Sequence, residues 1–286
     1  MMGGMRVVDG HLHLWDPAVL DYEWLGGELL RPFGPDELHA AVAEAPDAGY
    51  GFVFVQAECV PEQSLAEVDW VAGLVPQVAV RGIVARAPME DPAATDEHLA
   101  AFATRPLVVG IRRNLQSEPL GFSETPGFRA SARAVASAGL TFDACILRHQ
   151  LPDVIALADG VPDLTIVLDH LGKPEVGTPD AAAPADGTEW AAALRALAER
   201  PNVVCKLSGL PAESSGEWSD AQLWPFLDVA LDAFGPERLL FGSDWPVSRP
   251  FGRWVRTVSD WLDDRLGENG HHAVLAENAE RIYRLR

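Results

Sequence analysis

Eight short runs of apolar and β-branched residues recur along the chain, and they set its predicted organisation. Most are continuous apolar stretches rather than stretches in which apolar and polar residues alternate. Continuous stretches are typical of parallel strands that are covered on both faces. They cover residues 6–8, 50–58, 78–87, 107–115, 140–147, 164–170, 202–208 and 238–244. The pattern therefore predicts eight parallel strands.

Segments with helical signals lie between these runs. The first opens on Pro35, and the second opens on Ser64 with Glu67 three residues later, the spacing of a capping box. The predicted helices cover residues 35–45, 64–74, 96–103, 127–138, 151–158, 188–199, 220–234 and 253–266, with a closing helix over 273–285. Eight alternating strands and helices in 286 residues predict an α/β chain that forms one (β/α)8 (TIM) barrel domain over residues 1–286.

Two longer segments interrupt this alternation. Residues 16–33 are rich in Trp, Tyr and Gly, and residues 175–187 are rich in Ala, Pro, Asp and Gly. Both follow predicted strands, and loops that follow strands lie on the catalytic face of such barrels. We therefore expect both segments to be long loops beside a site.

Composition narrows the functional classes. The formal net charge is −20, so the basic surface of a nucleic-acid-binding protein is absent. No apolar run approaches the roughly 20 residues that span a bilayer, and no signal segment precedes the first strand. We expect a cytoplasmic protein with neither nucleic-acid nor membrane partners. The cysteines Cys59, Cys145 and Cys205 lack metal-type spacing and are expected to be buried thiols.

Polar residues stand at the carboxyl ends of the apolar runs, where a barrel gathers them into one pocket. His11 and His13 are two residues apart, so on one strand their side chains point to the same face. They fit either a metal site or a pair that only hydrogen-bonds a loop. The full set is His11, His13, Glu58, Arg86, Arg112, Arg113, Asp143, His170, Lys206 and Asp244. Because unpaired buried charge is costly, this ring predicts a polar site.

Some of these residues have a structural alternative. Arg113 can take part in chemistry or pair with Glu58 or Asp143. Lys206 is one of only two lysines, with Lys173. Alternation places Lys206 on the same strand face as Val204, from which its ammonium can bind substrate or hold the carboxylate of Glu58 or Asp244.

Six motifs resemble those of the amidohydrolase-related family. They are DGHLHLWDP at 9–17, GIRRNLQ at 110–116, LTFD at 140–143, VLDHLGKP at 167–174, VCKLSG at 204–209 and LFGSDWP at 240–246. Residues 278–283, NAERIY, resemble the family's C-terminal helix. The likeness covers residues 7–285, and within the family it is greatest to the sugar-lactone hydrolases, which include L-fuconolactonases and L-rhamnonolactonases.

The resemblance implies a site at the carboxyl ends of the strands. By matching motif, His11 and His13 are its strand-one histidines, His170 its strand-six histidine and Asp244 its strand-eight aspartate. Two-metal members use a carboxylated lysine or glutamate on strand four and a histidine on strand five. This chain has arginine and Asp143 there, so we expect one divalent ion at most. Zinc suits such ligands, and metal-free lactonases in the family imply that the ion can be dispensable.

These observations predict a hydrolase that opens the ester of a small sugar lactone. Asp244 is expected to accept a proton from water and then to protonate the leaving alkoxide. The histidines, Arg113 or a metal are expected to stabilise the oxyanion. The expected substrate contacts are Lys206, Arg113, Glu58, Trp245 and Trp24.

Two alternatives stay open from the sequence. One is a metal-dependent decarboxylase of an aromatic or enoic acid, although such enzymes commonly have a glutamate where Asp9 stands. The other is a binding protein without catalysis, which the ring of ionisable residues disfavours. The expected partner is a small-molecule lactone, and the chain is expected to be a monomer or a homodimer.

Overall fold

The computed structural model describes residues 5–214 and 217–286, without the side chains of 268 and 269, and it shows eight parallel strands around one barrel. Neighbouring strands pair in chain order. The strands are β1 (Arg6–Leu12), β2 (Gly49–Val55), β3 (Val80–Arg86), β4 (Val108–Arg112), β5 (Thr141–Ala144), β6 (Ile166–Leu168), β7 (Val203–Leu207) and β8 (Leu239–Phe241). The predicted (β/α)8 barrel is confirmed.

Helices connect the strands and pack around the barrel. They are α1 (Pro35–Ala43), α2 (Ser64–Gly73), α3 (Pro92–Phe102), α4 (Pro126–Ser137), α5 (Leu151–Gly160), α6 (Glu189–Ala198), α7 (Leu210–Glu213), α8 (Asp220–Phe234), α9 (Phe251–His272) and α10 (Asn278–Ile282). Short 3-10 turns lie at Gly27–Leu29, Pro61–Gln63, Phe122–Glu124, Arg148–Gln150, Asp169–Gly172 and Pro236–Arg238. Proline stands in the first turn of several of these helices, where its missing N–H costs nothing.

The predicted capping box at Ser64 is wrong. The 3-10 turn Pro61–Gln63 runs directly into α2, so Ser64 is the first helical residue rather than the cap. Glu67 instead turns inward, where its Oε1 accepts a hydrogen bond from the backbone N–H of Ala57 at 3.0 Å. The second half of the motif therefore supports the loop that follows β2.

The barrel closes between β1 and β8 through side-chain and backbone bonds. Asp9 Oδ1 accepts from the backbone N–H groups of His11 at 3.0 Å and Ser243 at 2.8 Å. Beyond it, the backbone N–H of Asp244 donates to the carbonyl of His11, and that of His13 donates to the carbonyl of Trp245. This seam fixes the ends of both strands against each other.

The barrel interior is filled from above by strand residues and from below by the closing segment. Inward-facing side chains come from Val8, Val53, Val55, Val84, Val167, Val204 and Leu240. Ala276, in the π-helical turn Ala273–Glu277, packs against them together with Ala279 and Ile282 of α10 and Tyr283 directly after it. The predicted closing helix thus covers the bottom of the barrel as its floor. Arg6, at the start of β1, forms an ion pair with Glu280 of α10 at 3.0 Å.

The two interrupting segments both have local structure. Residues 16–33 return to β1 through backbone hydrogen bonds between Trp15 and Phe33. Residues 175–187 contain a short antiparallel hairpin of Gly177–Thr178 with Ala181–Ala182. The three cysteines are buried and unpaired, as expected. Within the described ranges, no helix has both the length and the hydropathy to cross a membrane.

Glu67 gives the fold a testable dependence on pH. Burial raises the pKa of its carboxyl from an ordinary value of 4.5 to about 7, and its Oε2 has no hydrogen-bond partner among the described residues. Between those pH values the unfolded chain releases a proton that the folded protein keeps, so stability falls as pH rises. We expect Glu67→Gln, which cannot ionise, to be up to about 3 kcal/mol more stable than the wild type above pH 7.

The measurement is urea unfolding of both proteins at pH 4.5 and pH 8. The two proteins should differ by less than about 0.5 kcal/mol in the free energy of unfolding at pH 4.5, because Glu67 is then protonated in the folded protein and only half ionised in the unfolded chain. An equal gain at both pH values, or a loss at pH 8, would contradict the expectation.

Candidate active site

Three histidines and one aspartate converge at the carboxyl ends of β1, β6 and β8. The Nε2 atoms of His11, His13 and His170 lie 3.7, 3.5 and 3.7 Å from Asp244 Oδ1. The Nε2 atoms of His11 and His13 are 3.1 Å apart. All four residues are at most 5% exposed. We call His11, His13, His170 and Asp244 the His/Asp cluster.

The far side of each of these residues is anchored by the protein. His13 Nδ1–H donates to the carbonyl of Val55 at 2.8 Å, which leaves its Nε2 as a lone pair that faces the cluster. The Nδ1 atoms of the other two histidines contact Asp169 Oδ1 and Ser208 Oγ, and Asp244 Oδ2 accepts from Ser248 Oγ. Such contacts fix the orientation of side chains that bind a metal.

Backbone geometry at the cluster is unusual. His170 and Asp244 have φ angles of 55° and 56°, in the left-handed region that non-glycine residues seldom adopt. Two glycines make room for the histidines. A Cβ at Gly209 would lie 2.5 Å from His170 Nδ1, and one at Gly242 would lie 2.7 Å from the Cβ of His11. The Gly residues in the motifs therefore serve the packing of the site.

A buried charge network lies beneath the cluster. Lys206 Nζ is 2.6 Å from Asp143 Oδ2, 2.9 Å from Asp169 Oδ1 and 3.0 Å from His11 Nδ1. Tyr283, from the barrel floor, donates its hydroxyl to Asp143 Oδ2 at 2.7 Å. Arg112 Nη1 lies 3.5 Å from Asp169 Oδ2. Every charge in this network has a partner of opposite sign, as burial requires.

Burial and pairing set the protonation of the site. Burial lowers the pKa of His170 to about 4 and that of His11 well below its usual value. Burial alone would raise the pKa of Asp244, but the imidazoles of His170, His11 and His13 around its Oδ1 hold that pKa below the ordinary range. At neutral pH His170 and His11 are therefore neutral, and Asp244 is ionised.

This donor set fits one divalent ion. Neutral imidazole nitrogens and a carboxylate oxygen are ligands that zinc prefers. A second group, His11, Asp169 and His170, also lies close together. Its carboxylate, however, is already paired with Lys206 and Arg112. The His/Asp cluster is the better cation site, and its residues would hold the ion.

A cavity of about 400 Å³ opens above the cluster. His13, His170 and Asp244 form part of its wall, and the rest comes from the end of β4 and from loops after β1, β2, β4, β5, β6 and β8. Those residues are Trp24, Ala57, Glu58, Arg112, Asn114, Gln116, Ser117, Cys145, Lys173 and Val247. A larger cavity, of about 670 Å³, lies elsewhere, against α5 and α6, and contains no residue of the cluster.

Two expected substrate contacts line this cavity. Trp24, in the 16–33 segment, donates its indole N–H to the carbonyl of Ala57, and this bond holds the indole ring at the cavity wall. Glu58 has a φ angle of 58° and hydrogen-bonds Gln56 through its backbone N–H. His11 is fully buried and reaches the cluster from below.

Three expected positions need correction. Arg113 lies outside the cavity because Glu90 and Glu118 bind its guanidinium, and not Glu58 or Asp143. Arg112, its neighbour on the opposite strand face, lines the cavity instead. Trp245 is buried against Phe33, with ring centroids 5.6 Å apart.

Lys206 is the third correction. Its side chain faces the barrel interior, as the alternation predicts, but it is fully buried. Its carboxylate partners are Asp143 and Asp169, rather than Glu58 or Asp244. The sequence also gave no role to Lys173, Asn114, Gln116 or Ser117, which line the cavity. The signals for Lys173 were the scarcity of lysine and its place in the VLDHLGKP motif.

Comparison with known proteins identifies the family. The family model described as amidohydrolase matches residues 8–285 of this chain. The chain therefore belongs to the amidohydrolase family, as its motifs predicted.

The particular relatives have lactonase names. An L-fucono-1,5-lactonase of Burkholderia multivorans is 33% identical, over 99% of this chain and 97% of its own. An L-fucono-1,5-lactonase of Burkholderia ambifaria is 31% identical, over 97% of this chain and 95% of its own. A crystal structure of an amidohydrolase from Burkholderia multivorans with bound Zn is 30% identical with a TM-score of 0.83, covering 98% of this chain and 100% of that one.

Lys206 should be essential for stability. Lys206→Met removes the ammonium and leaves Asp143 and Asp169 as buried carboxylates without their main counter-charge. We expect a loss of about 3–5 kcal/mol in the free energy of unfolding. The matched control is Tyr283→Phe, which removes one hydrogen bond to the same Asp143 but keeps its counter-charge, and should cost less, about 1.5–3 kcal/mol. Urea unfolding measures both, and a Lys206→Met protein as stable as the wild type would refute this role.

Metal content should not exceed one divalent ion per chain. The His/Asp cluster offers one set of ligands, whereas Lys206 and Arg112 already neutralise Asp169. Elemental analysis after dialysis against Zn²⁺ measures the stoichiometry. Asp244→Asn should lower it, because an amide is a weaker ligand than a carboxylate, while Asp153→Asn on α5 should not. Two bound ions per wild-type chain would overturn this assignment.

Proposed function

We propose that this chain is a hydrolase that opens the ester bond of a small sugar lactone. The observation that carries the proposal is the convergence of three imidazole nitrogens on Asp244 Oδ1 beneath a cavity of about 400 Å³. A cavity of this size suits a small molecule. The relatives named as L-fucono-1,5-lactonases, similar over nearly the whole chain, support a lactone substrate and specifically a fucono-lactone.

Asp244 is the proposed general base. Its carboxylate is ionised at neutral pH and lines the cavity, so it can accept a proton from a water molecule that attacks the lactone carbonyl. The addition gives a tetrahedral oxyanion. Asp244 then returns the proton to the ring oxygen as the C–O bond breaks, and the products are a hydroxyl group and a carboxylic acid, which ionises to a carboxylate and releases a proton. Ser248 holds Asp244 in place through both steps.

The developing oxyanion needs positive charge or hydrogen-bond donors. Arg112 lines the cavity and lies 3.5 Å from His11 Nε2, so its guanidinium is next to the cluster. His13 and His170 border the same space. A divalent ion at the cluster, when bound, supplies Lewis-acid polarisation of the carbonyl.

The remaining wall fits a hydroxylated ring. Trp24 offers an aromatic face on which a sugar ring can stack. Glu58 provides acceptors, and Asn114, Gln116 and Ser117 provide donors and acceptors on the wall after β4. Groups of this kind recognise hydroxyls rather than apolar substituents.

The charge balance favours a neutral substrate. Arg112 and Lys173 are the cations that line the cavity, and each has an acidic partner, Asp169 at 3.5 Å and Glu213 at 3.3 Å. Asp244 adds a negative charge to the wall. The side chains described here therefore offer no surplus positive charge to a substrate carboxylate. A decarboxylase of an aromatic or enoic acid, which binds such a carboxylate, is less well supported.

A panel of lactones and carboxylic acids tests the function. The wild type should release acid from L-fucono-1,5-lactone, as followed with a pH indicator, and should leave the ultraviolet absorbance of aromatic and enoic acids unchanged. Asp244→Asn should lower kcat by at least about 10²-fold, because it removes the general base. Asp153→Asn, a conservative change on α5, is the matched control and should retain full activity.

Two outcomes would contradict the proposed lactonase, and a third would contradict only the role of Asp244. Loss of an absorbing acid with release of carbon dioxide would establish the decarboxylase instead. Turnover of no compound in the panel would favour a binding protein. Near-normal turnover by folded Asp244→Asn would remove Asp244 from the mechanism while leaving the lactonase intact.

A further inference from the structure

Four consecutive residues after β6 follow a left-handed backbone path. Their φ angles are 55° at His170, 53° at Leu171, 71° at Gly172 and 54° at Lys173. Glycine alone adopts this region without steric cost, so the other three residues are strained. Strain of this kind persists where the surrounding structure holds it, and it clusters at functional sites.

The turn is held at three points. The indole N–H of Trp190 donates to the carbonyl of Leu171 at 2.8 Å, and the backbone N–H of His170 donates to Ser208 Oγ at 3.3 Å. The backbone N–H of Lys173 donates to the carbonyl of His170 at 2.8 Å. The contacts that fix His170 in the His/Asp cluster therefore also fix the backbone of Lys173.

The turn brings two side chains to one cavity. His170 and Lys173 both line the 400 Å³ space above the cluster. The Lys173 side chain is 21% exposed, whereas that of Lys206 is fully buried. Of the two lysines in this chain, Lys173 is therefore the one that a ligand can contact.

Lys173 has donors to offer such a ligand. Its ammonium carries three N–H bonds, and its ion-pair partner among the described residues is Glu213 on α7, at 3.3 Å. Arg112, the other cation in the wall, already donates to the carbonyl of Gln56 and contacts Asp169. The strained turn thus places a positioned donor in the same cavity wall as His170 of the His/Asp cluster.

We propose that Lys173 is a substrate-binding residue that donates a hydrogen bond to a hydroxyl group of the sugar lactone and sets the preference for hydroxylated lactones. The proposal rests on the lactonase function proposed above. Glu213 is the positioning residue that holds the ammonium toward the cavity. A site that binds a substrate hydroxyl in this way discriminates strongly against the analogue without it.

The test compares two substrates in one variant. Lys173→Met keeps most of the side-chain length and removes the charge. We expect kcat/KM for L-fucono-1,5-lactone to fall about 10–100-fold, mainly through KM, as for loss of a hydrogen bond to a charged group. Hydrolysis of δ-valerolactone, a six-membered lactone without hydroxyl groups, should stay within about twofold of the wild type, because it lacks the contact. Lys173→Arg should retain more of the preference.

Glu213→Gln and thermal unfolding are the controls. Glu213→Gln keeps the ammonium, so its kinetic effect should be smaller than that of Lys173→Met, and both variants should melt near the wild-type temperature. The proposal is overturned if Lys173→Met affects both lactones equally or neither of them. It is also overturned if Glu213→Gln reproduces the loss, because Lys173 would then act only through its ion pair.

A binding measurement separates this proposal from the lactonase function. If the wild type opens no lactone, the proposed function fails, and calorimetry with L-fucono-1,5-lactone itself, which the protein then leaves intact, still tests Lys173. A Kd that Lys173→Met weakens by at least about tenfold supports the residue as a ligand contact. Equal binding by both proteins, or no binding by the wild type, overturns it.

Discussion

The site depends on the ion pairs that the buried ammonium of Lys206 forms with Asp143 and Asp169. The barrel interior is apolar below this level, and an isolated charge there would be prohibitive. The three groups compensate one another, and the same contacts orient His11 through its Nδ1. One buried network therefore serves two purposes, since it makes a polar centre tolerable inside a valine-lined barrel and sets the direction of an imidazole at the cavity floor.

Strain is concentrated where the chain leaves the strands. Glu58, His170 and Asp244 follow β2, β6 and β8, and all three have positive φ angles. Each turn directs a polar side chain over the barrel mouth instead of continuing along the strand. Rigid neighbours, such as the seam through Asp9 and the anchor from Trp190, hold these conformations. The stability of the barrel thus offsets the backbone strain at its rim, and the strained turns orient the functional groups.

Sequence patterns predicted the barrel and the ring of polar residues at its strand ends because both follow from local rules, whereas the resemblance to the amidohydrolase-related family selected the His/Asp cluster from that ring. Continuous apolar runs identify buried parallel strands, and alternation along a strand puts Val204 and Lys206 on one face. Partners that meet across the barrel follow no such rule. The choice between Arg112 and Arg113 depends on which face of β4 is interior, and Lys206 could not be paired with Asp143 and Asp169 before the strands were assembled. Ser64 resembled a helix cap, but the preceding 3-10 turn had already begun the helix. The left-handed path at Lys173 had one local signal, Gly172.

The closing segment at the barrel floor affects the order in which parts of the structure form during synthesis. Arg6 and Glu280 are separated by 274 residues, and Tyr283 reaches Asp143 over a separation of 140. A chain that emerges from the ribosome with its N-terminus first forms β1 long before α10 exists. Until then Asp143 lacks the tyrosine hydroxyl, and the inner valines are open to water from below. The sheet can assemble during translation, but the charge network beneath the His/Asp cluster is completed only after α10 and Tyr283 have been synthesised.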